Sequence, residues 1–153
     1  MNKKFIFLII IILSSMVSNL SSKDNEINII SNELKIDNNE RTSTFSGDVY
    51  AIDQSLKVWS DQMIITFKKD KDEIKEILAT GNVKIVRLHE ESEIYGDIAK
   101  YLIGDETIII SGNVLVIEND NQISGSKLTL ELKDSSSIMV GSDSNRVEAV
   151  INR

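Results

Sequence analysis

Two short patterns alternate along this chain at a spacing near thirty residues, and no other feature limits its fold so tightly. The first reads Phe45-Ser46-Gly47-Asp48-Val49, Ala79-Thr80-Gly81-Asn82-Val83 and Ile110-Ser111-Gly112-Asn113-Val114, with glycines 34 and 31 residues apart. The second reads Ile30-Ser31-Asn32-Glu33-Leu34, Trp59-Ser60-Asp61-Gln62-Met63, Tyr95-Gly96-Asp97-Ile98-Ala99 and Ser124-Gly125-Ser126-Lys127-Leu128. Self-similarity at a period of about 30 residues marks stacked units, none of which can bury its apolar face alone. Each unit is expected to hold two strand pairs.

Within a unit, polarity changes with a period of two, not 3.6. Aligning the second pattern puts Leu34, Met63, Ala99 and Leu128 in one column and Ile36, Ile65, Tyr101 and Leu130 in the next. Polar residues alternate with them: Lys35 and Asp37, Gln62 and Thr66, Lys100, and Thr129 and Glu131. Successive side chains of a strand point to opposite faces, so one face is greasy and the other wet. The residues after each glycine behave alike, with Val49 and Ala51, Val83 and Ile85, Val114 and Val116 on one face. Each Gly-Asn/Asp-Val step reads as a turn followed by a strand. Further turns are expected at Asp37-Asn38-Asn39, Lys69–Asp72, Gly104-Asp105, Asn119-Asp120-Asn121 and Ser135-Ser136-Ser137. The chain has no Pro, so every strand residue can donate to a ladder. The fold class is all-β and antiparallel, as one curled sheet or two facing sheets.

The first residues have another purpose. Asn2, Lys3 and Lys4 precede an apolar run from Phe5 to Leu13, after which the chain turns small and polar. That order is a secretory signal, and the run is short for a membrane span. We assign residues 1–22 to a signal peptide, with Ser18 or Ser22 as its last residue, and 23–153 to one domain. An uncleaved N-terminal anchor is the alternative. Export of a Cys-free chain points to a bacterial periplasm.

Composition excludes several chemistries. With no Cys and one His (His89), the sequence offers no disulfide, no thiolate or multi-His metal site and no nucleophile–base set, so neither a catalytic residue nor a cofactor is expected. Asp61 and Asp97 occupy equivalent repeat positions, which argues for a shared structural role and not for a paired-carboxylate site. The 24 acidic residues outnumber 17 basic ones, and losing Lys3 and Lys4 would take the net charge from −7 to −9. Bulk charge therefore disfavours nucleic acid.

The GNV-type repeats, the interleaved S/G-D pattern and the export signal together resemble the LptA/OstA-like (organic-solvent-tolerance A domain) family of periplasmic bridge proteins in lipopolysaccharide transport. The similarity runs from about Ile29 to Ile151. It implies a twisted antiparallel β-jellyroll, open along one side, that shields lipopolysaccharide acyl chains. Carried over by position, the apolar, lipid-binding interior comprises Leu34, Ile36, Phe45, Val49, Met63, Ile65, Phe67, Val83, Ile85, Tyr101, Val114, Val116, Leu128 and Leu130. Implied partners are lipopolysaccharide, an inner-membrane lipopolysaccharide transporter complex and an outer-membrane lipopolysaccharide assembly protein. The repeat departs from the family pattern at Ile138-Met139-Val140-Gly141-Ser142, which leaves the C-terminal register open.

Two other readings stand beside the carrier. One is the inner-membrane-anchored relative of the same fold (LptC-like), and the other a structural β-repeat protein whose inward columns form a filled core. A repeat stack that never closes leaves unpaired edges. Here those are an N-terminal strand from Ile27 to Ile36 and a C-terminal strand from Arg146 to Ile151, and they predict head-to-tail self-association.

Overall fold

A computed structural model of the chain describes residues 26–152, so the signal peptide assigned to residues 1–22 lies outside the described residues. The described residues form a single antiparallel sheet without a helix. Two short strands, β1 (Asn28–Ile30) and β2 (Glu33–Asp37), precede six long ones. These are β3 (Thr42–Ile52), β4 (Leu56–Phe67), β5 (Ile74–Arg87), β6 (Ser92–Leu102), β7 (Thr107–Glu118) and β8 (Asn121–Glu131). Two more short strands follow, β9 (Ser136–Val140) and β10 (Glu148–Val150). The long strands form a meander in chain order. At one edge β1 and β2 each cover one half of β3, and at the other β9 and β10 each cover one half of β8.

Side-chain oxygens close several hairpins, as Asx turns do. Asp37 Oδ1 accepts the N–H groups of Asn39 and Glu40, both at 3.0 Å. Asp53 Oδ1 accepts those of Ser55 at 2.7 Å and Leu56 at 2.8 Å, in a turn not among those expected from the sequence. Ser136 and Ser137, expected in a turn, instead begin β9.

The Gly-Asn/Asp steps are not turns. They are bulges in the middle of β3, β5 and β7, where pairing slips between Ser46 and Val49, Thr80 and Val83, and Ser111 and Val114. Both residues of each step are left-handed: Gly47 and Asp48 at φ 79° and 47°, Gly81 and Asn82 at 77° and 48°, Gly112 and Asn113 at 78° and 48°. Such a step re-aims a strand without ending it. A 30-residue unit therefore contains one pair of long, kinked strands, not two strand pairs. The second pattern supplies what a kink needs. Asp61 Oδ2 accepts from Asn82 Nδ2 at 2.8 Å and Asp97 Oδ2 from Asn113 Nδ2 at 2.9 Å. In the first unit the partners exchange places, with Asn32 Nδ2 donating to Asp48 Oδ2 at 3.2 Å. The small residue before each Asp or Ser lies opposite a buried valine: Ser60 opposite Val49, Gly96 opposite Val83, Gly125 opposite Val114. Inside a crease there is no room for more.

Bending brings the two halves of every long strand together. Ile77 and Ile85 of β5 line one cavity, although a straight strand would hold them about 26 Å apart. The sheet thus folds over itself along the row of bulges, which makes one curled sheet behave as two facing layers. Val49, Val83, Ile94, Ile110 and Val114 are the most deeply buried of the inward side chains.

At the edges the expected strands are broken. The N-terminal one is interrupted at Ser31-Asn32, where the Asn32 N–H bonds the Gly47 carbonyl at 3.0 Å. The C-terminal one, expected from Arg146 to Ile151, is present only as β10, and the other half of that edge is β9, which ends where Gly141 stands. There the chain makes an excursion, with the Ser142 N–H on the Asn145 carbonyl at 2.7 Å, before resuming as β10. The fourth repeat has lost the Asn or Asp that would hold its bulge within the strand. A serine pair, Ser126 Oγ to Ser142 Oγ at 3.1 Å, stands in its place.

Candidate functional site

The inward face is built of rows running across the sheet. One follows the pairs Leu34, Phe45, Met63, Ala79, Ala99, Ile110, Leu128 and Met139. The next follows Ile36, Ser43, Ile65, Ile77, Tyr101, Ile108, Leu130 and Ser137. Beyond the bulges, Ile29, Ala51, Val58, Ile85, Ile94, Val116 and Ile123 form a third. The repeat columns of the sequence are thus physical rows, with a residue of the intervening strand between each pair.

Of the interior residues named from the sequence, Val49, Met63, Ile65, Val83, Ile85, Val114, Leu128 and Leu130 are buried, and Phe45, Phe67, Tyr101 and Val116 are half-buried. Leu34 and Ile36 are 51% and 63% exposed, because β2 is an edge strand whose inward side no described residue covers. Sequence reasoning passed over Ala79, Ile77, Ile108 and Ile110. Their signal was the period-two run before each glycine, which could be joined to the run after it only once the glycine was known to be a bulge.

Between the layers lies an apolar cavity of about 80 Å³, lined by Ala51, Val58 and Ile85 from one half and Met63, Ile77, Ala79, Ala99, Tyr101 and Ile108 from the other. It reaches the β3–β4 turn at Ile52, Asp53 and Leu56. One water needs only about 10–15 Å³, and well-packed cores hold few larger voids. With Asp53 its only charged lining residue, the space offers an alkyl chain a dry surface. A second apolar space of about 410 Å³ opens toward the N-terminal edge between Ile27, Ile29, Phe45, Ile65 and Ile74. Tyr101 stands on the wall of the first, and burial, with Glu106 and Asp53 nearby, pushes its phenol pKa up.

The outer face carries the charge. Lys84 lies over Trp59 and Tyr95, 5.7 and 5.4 Å from the ring centroids, and pairs with Glu93 at 3.1 Å. Glu93 also accepts from Tyr95 Oη at 2.5 Å. That bond, and then Lys84, hold its carboxyl below the usual range, while Glu93 and Tyr95 raise Lys84. Lys100 pairs with Glu76 at 3.6 Å and Arg87 with Glu90. Lys84, Arg87 and Lys100 are thus all engaged by carboxylates. Asp61 and Asp97 hold bulges, and among the described residues no group of three or more His, Asp or Glu is placed to hold a metal ion.

A family model described as LptA/(LptD N-terminal domain) LPS transport protein matches residues 28–136. The lipopolysaccharide export system protein LptA of Haemophilus influenzae is 25% identical over 158 aligned positions, covering 98% of this chain and 91% of that protein. The uncharacterized protein RP507 of Rickettsia prowazekii is 28% identical over 104 residues, 67% of this chain and 72% of that protein. Among solved structures, LptH, the LptA-homologous periplasmic component of the lipopolysaccharide transport device of Pseudomonas aeruginosa, superposes with a TM-score of 0.75 at 14% identity. It covers 87% of this chain and 99% of its own, and establishes the β-jellyroll. The kinked all-β sheet and the match across its long strands agree: this chain belongs to the LptA/LptD N-terminal domain family of lipopolysaccharide transport proteins, which are not enzymes.

Proposed function

We propose that this chain works in the periplasm as a lipid carrier, shielding lipopolysaccharide acyl chains between the two halves of its sheet. The observation that carries the reading is the apolar cavity where a filled core would leave none, continued toward the edge by a second apolar space. Each methylene transferred from water is worth about 0.8 kcal/mol, so a twelve-carbon chain offers on the order of 10 kcal/mol before entropy costs. An acidic protein whose outer bases are already paired gains little from lipid phosphates, so the grip is on the chains. Photo-crosslinking side chains at Ile36, Ile65 and Leu130 should capture lipopolysaccharide, while Lys35, Thr66 and Glu131 should not. Equal labelling of both sets refutes the reading.

The same carrier bridges an inner-membrane transporter complex and an outer-membrane assembly protein by head-to-tail stacking. Support comes from the two unlike edges, which expose Leu34 and Ile36 at one end and Ile138 and Val140 at the other. Unlike surfaces meet heterologously and propagate, joining the clefts of successive subunits. Similarity to LptA over nearly the whole chain favours this over the anchored relative. Sedimentation across a concentration series tests it: a protein that stays monomeric at high concentration, with or without residues 136–153, is not a bridge of this kind.

A further inference from the structure

We propose that β1 is a displaceable strap that divides the cleft, so that an alkyl chain threads it only after β1 has swung away. The inference rests on the lipid-carrier reading and concerns how that site is opened. Ile27 lines both apolar spaces, the inner one beside Met63 and Tyr101 and the outer one beside Phe45 and Ile65. It is the one lining residue the two spaces share, so its side chain stands between them. The segment that carries it is held on the core by one further side chain, the half-buried Ile29. β1 is three residues long and pairs with β3 alone, through Asn28 opposite Ile52, Ile29 opposite Ala51 and Ile30 opposite Tyr50. Ile30 is 65% exposed and adds little anchoring.

The hinge is built in. β1 and β2 are separated at Ser31-Asn32, and Asn32 is pinned to the bulge of β3 by its N–H on the Gly47 carbonyl and its Nδ2 on Asp48. β1 can leave while β2 and the crease stay in place. Its departure would free the half of the β3 edge that β1 covers, so a strand arriving there would take up the vacated ladder and keep the path open. Short edge strands with few buried contacts are the elements that open at least cost.

A Cys-free chain allows a clean test. Antiparallel partners stand about 4.5–5.5 Å apart at Cα, within reach of a disulfide. The full chain carrying Asn28→Cys and Ile52→Cys is compared oxidised and reduced, using 11-(dansylamino)undecanoic acid as the probe and following dansyl fluorescence. Oxidation should slow probe entry at least tenfold, and reduction should restore it, the substitutions being the same in both forms. Ile27→Ala should speed entry. A lock at the opposite edge, Gln122→Cys with Val150→Cys, should change nothing. Equal entry into oxidised and reduced protein, with the wild type binding normally, overturns the strap and leaves the carrier reading standing. If no form binds the probe, Ile27→Ala included, the carrier reading fails and the strap with it.

Discussion

Replacing Gly81 by alanine tests whether the bulges hold the fold. At φ 77° an L-residue is strained by about 1 kcal/mol. The new Cβ would also stand 2.8 Å from Asp61 Cγ and 2.9 Å from Asp61 Cβ, and closer still to Oδ2. The carboxylate must rotate away and give up its bond from Asn82 Nδ2. At an exposed site that bond is worth about 1 kcal/mol, and an off-rotamer side chain adds about 0.5–1 kcal/mol. The total is about 2–3 kcal/mol, or roughly 4–12 °C in Tm for a chain of this size. Urea unfolding followed by the fluorescence of Trp59, the single tryptophan, measures it. Gly104→Ala is the control, since a Cβ there meets nothing within 4 Å, and should stay within about 0.5 kcal/mol of wild type. Asp61→Ala removes Cγ and Oδ2 and leaves only its Cβ, 2.9 Å away, so the Asp61→Ala/Gly81→Ala protein should be more stable than the summed single effects imply, by about 1 kcal/mol. A Gly81→Ala protein as stable as the control, or strict additivity in the cycle, refutes the argument.

Ile110→Ala, at a side chain with no exposure, should cost about 2–5 kcal/mol in the same assay, and a loss under 1 kcal/mol would show that the layers collapse around the gap. The lowered pKa of Glu93 stabilises the fold above the ordinary glutamate range, and that contribution is lost as pH falls through the lowered value. Glu93→Gln should therefore flatten the acid limb of the stability–pH curve below about pH 4.3 and leave the neutral slope alone. Tyr101 has the opposite linkage: its raised pKa contributes stability that is present below the ordinary tyrosine value and lost as pH rises through the folded one. Tyr101→Phe should flatten the alkaline limb above about pH 10, and an unchanged limb would mean that the ring is wetter than its place on the cavity wall implies.

The alternation of Leu34 with Lys35, of Ile65 with Thr66 and of Leu130 with Glu131 is a property of neighbouring residues. So is the Asx turn at Asp37, and so is the recurrence of small residue and Asp at Ser60-Asp61 and Gly96-Asp97. From these the sequence by itself determined an antiparallel, repeating sheet with one greasy face, and it put Leu34, Met63, Ala99 and Leu128 in what is one row of that sheet. It did not reveal that Gly81-Asn82 kinks a fourteen-residue strand instead of ending one, because the same two left-handed residues serve a turn or a bulge. Which of the two forms is decided by strands above and below: Asp61 must arrive to take the Asn82 amide, and Gly96 must leave space opposite Val83. Only the tertiary structure could separate exposed Leu34 from buried Leu128, equals in the repeat, since an edge strand lacks the covering layer a central one has. The cleft has the same origin. Period two says which side chains point inward, but the space left between them depends on how sharply the bulges fold the sheet and on where Ile27 comes to rest.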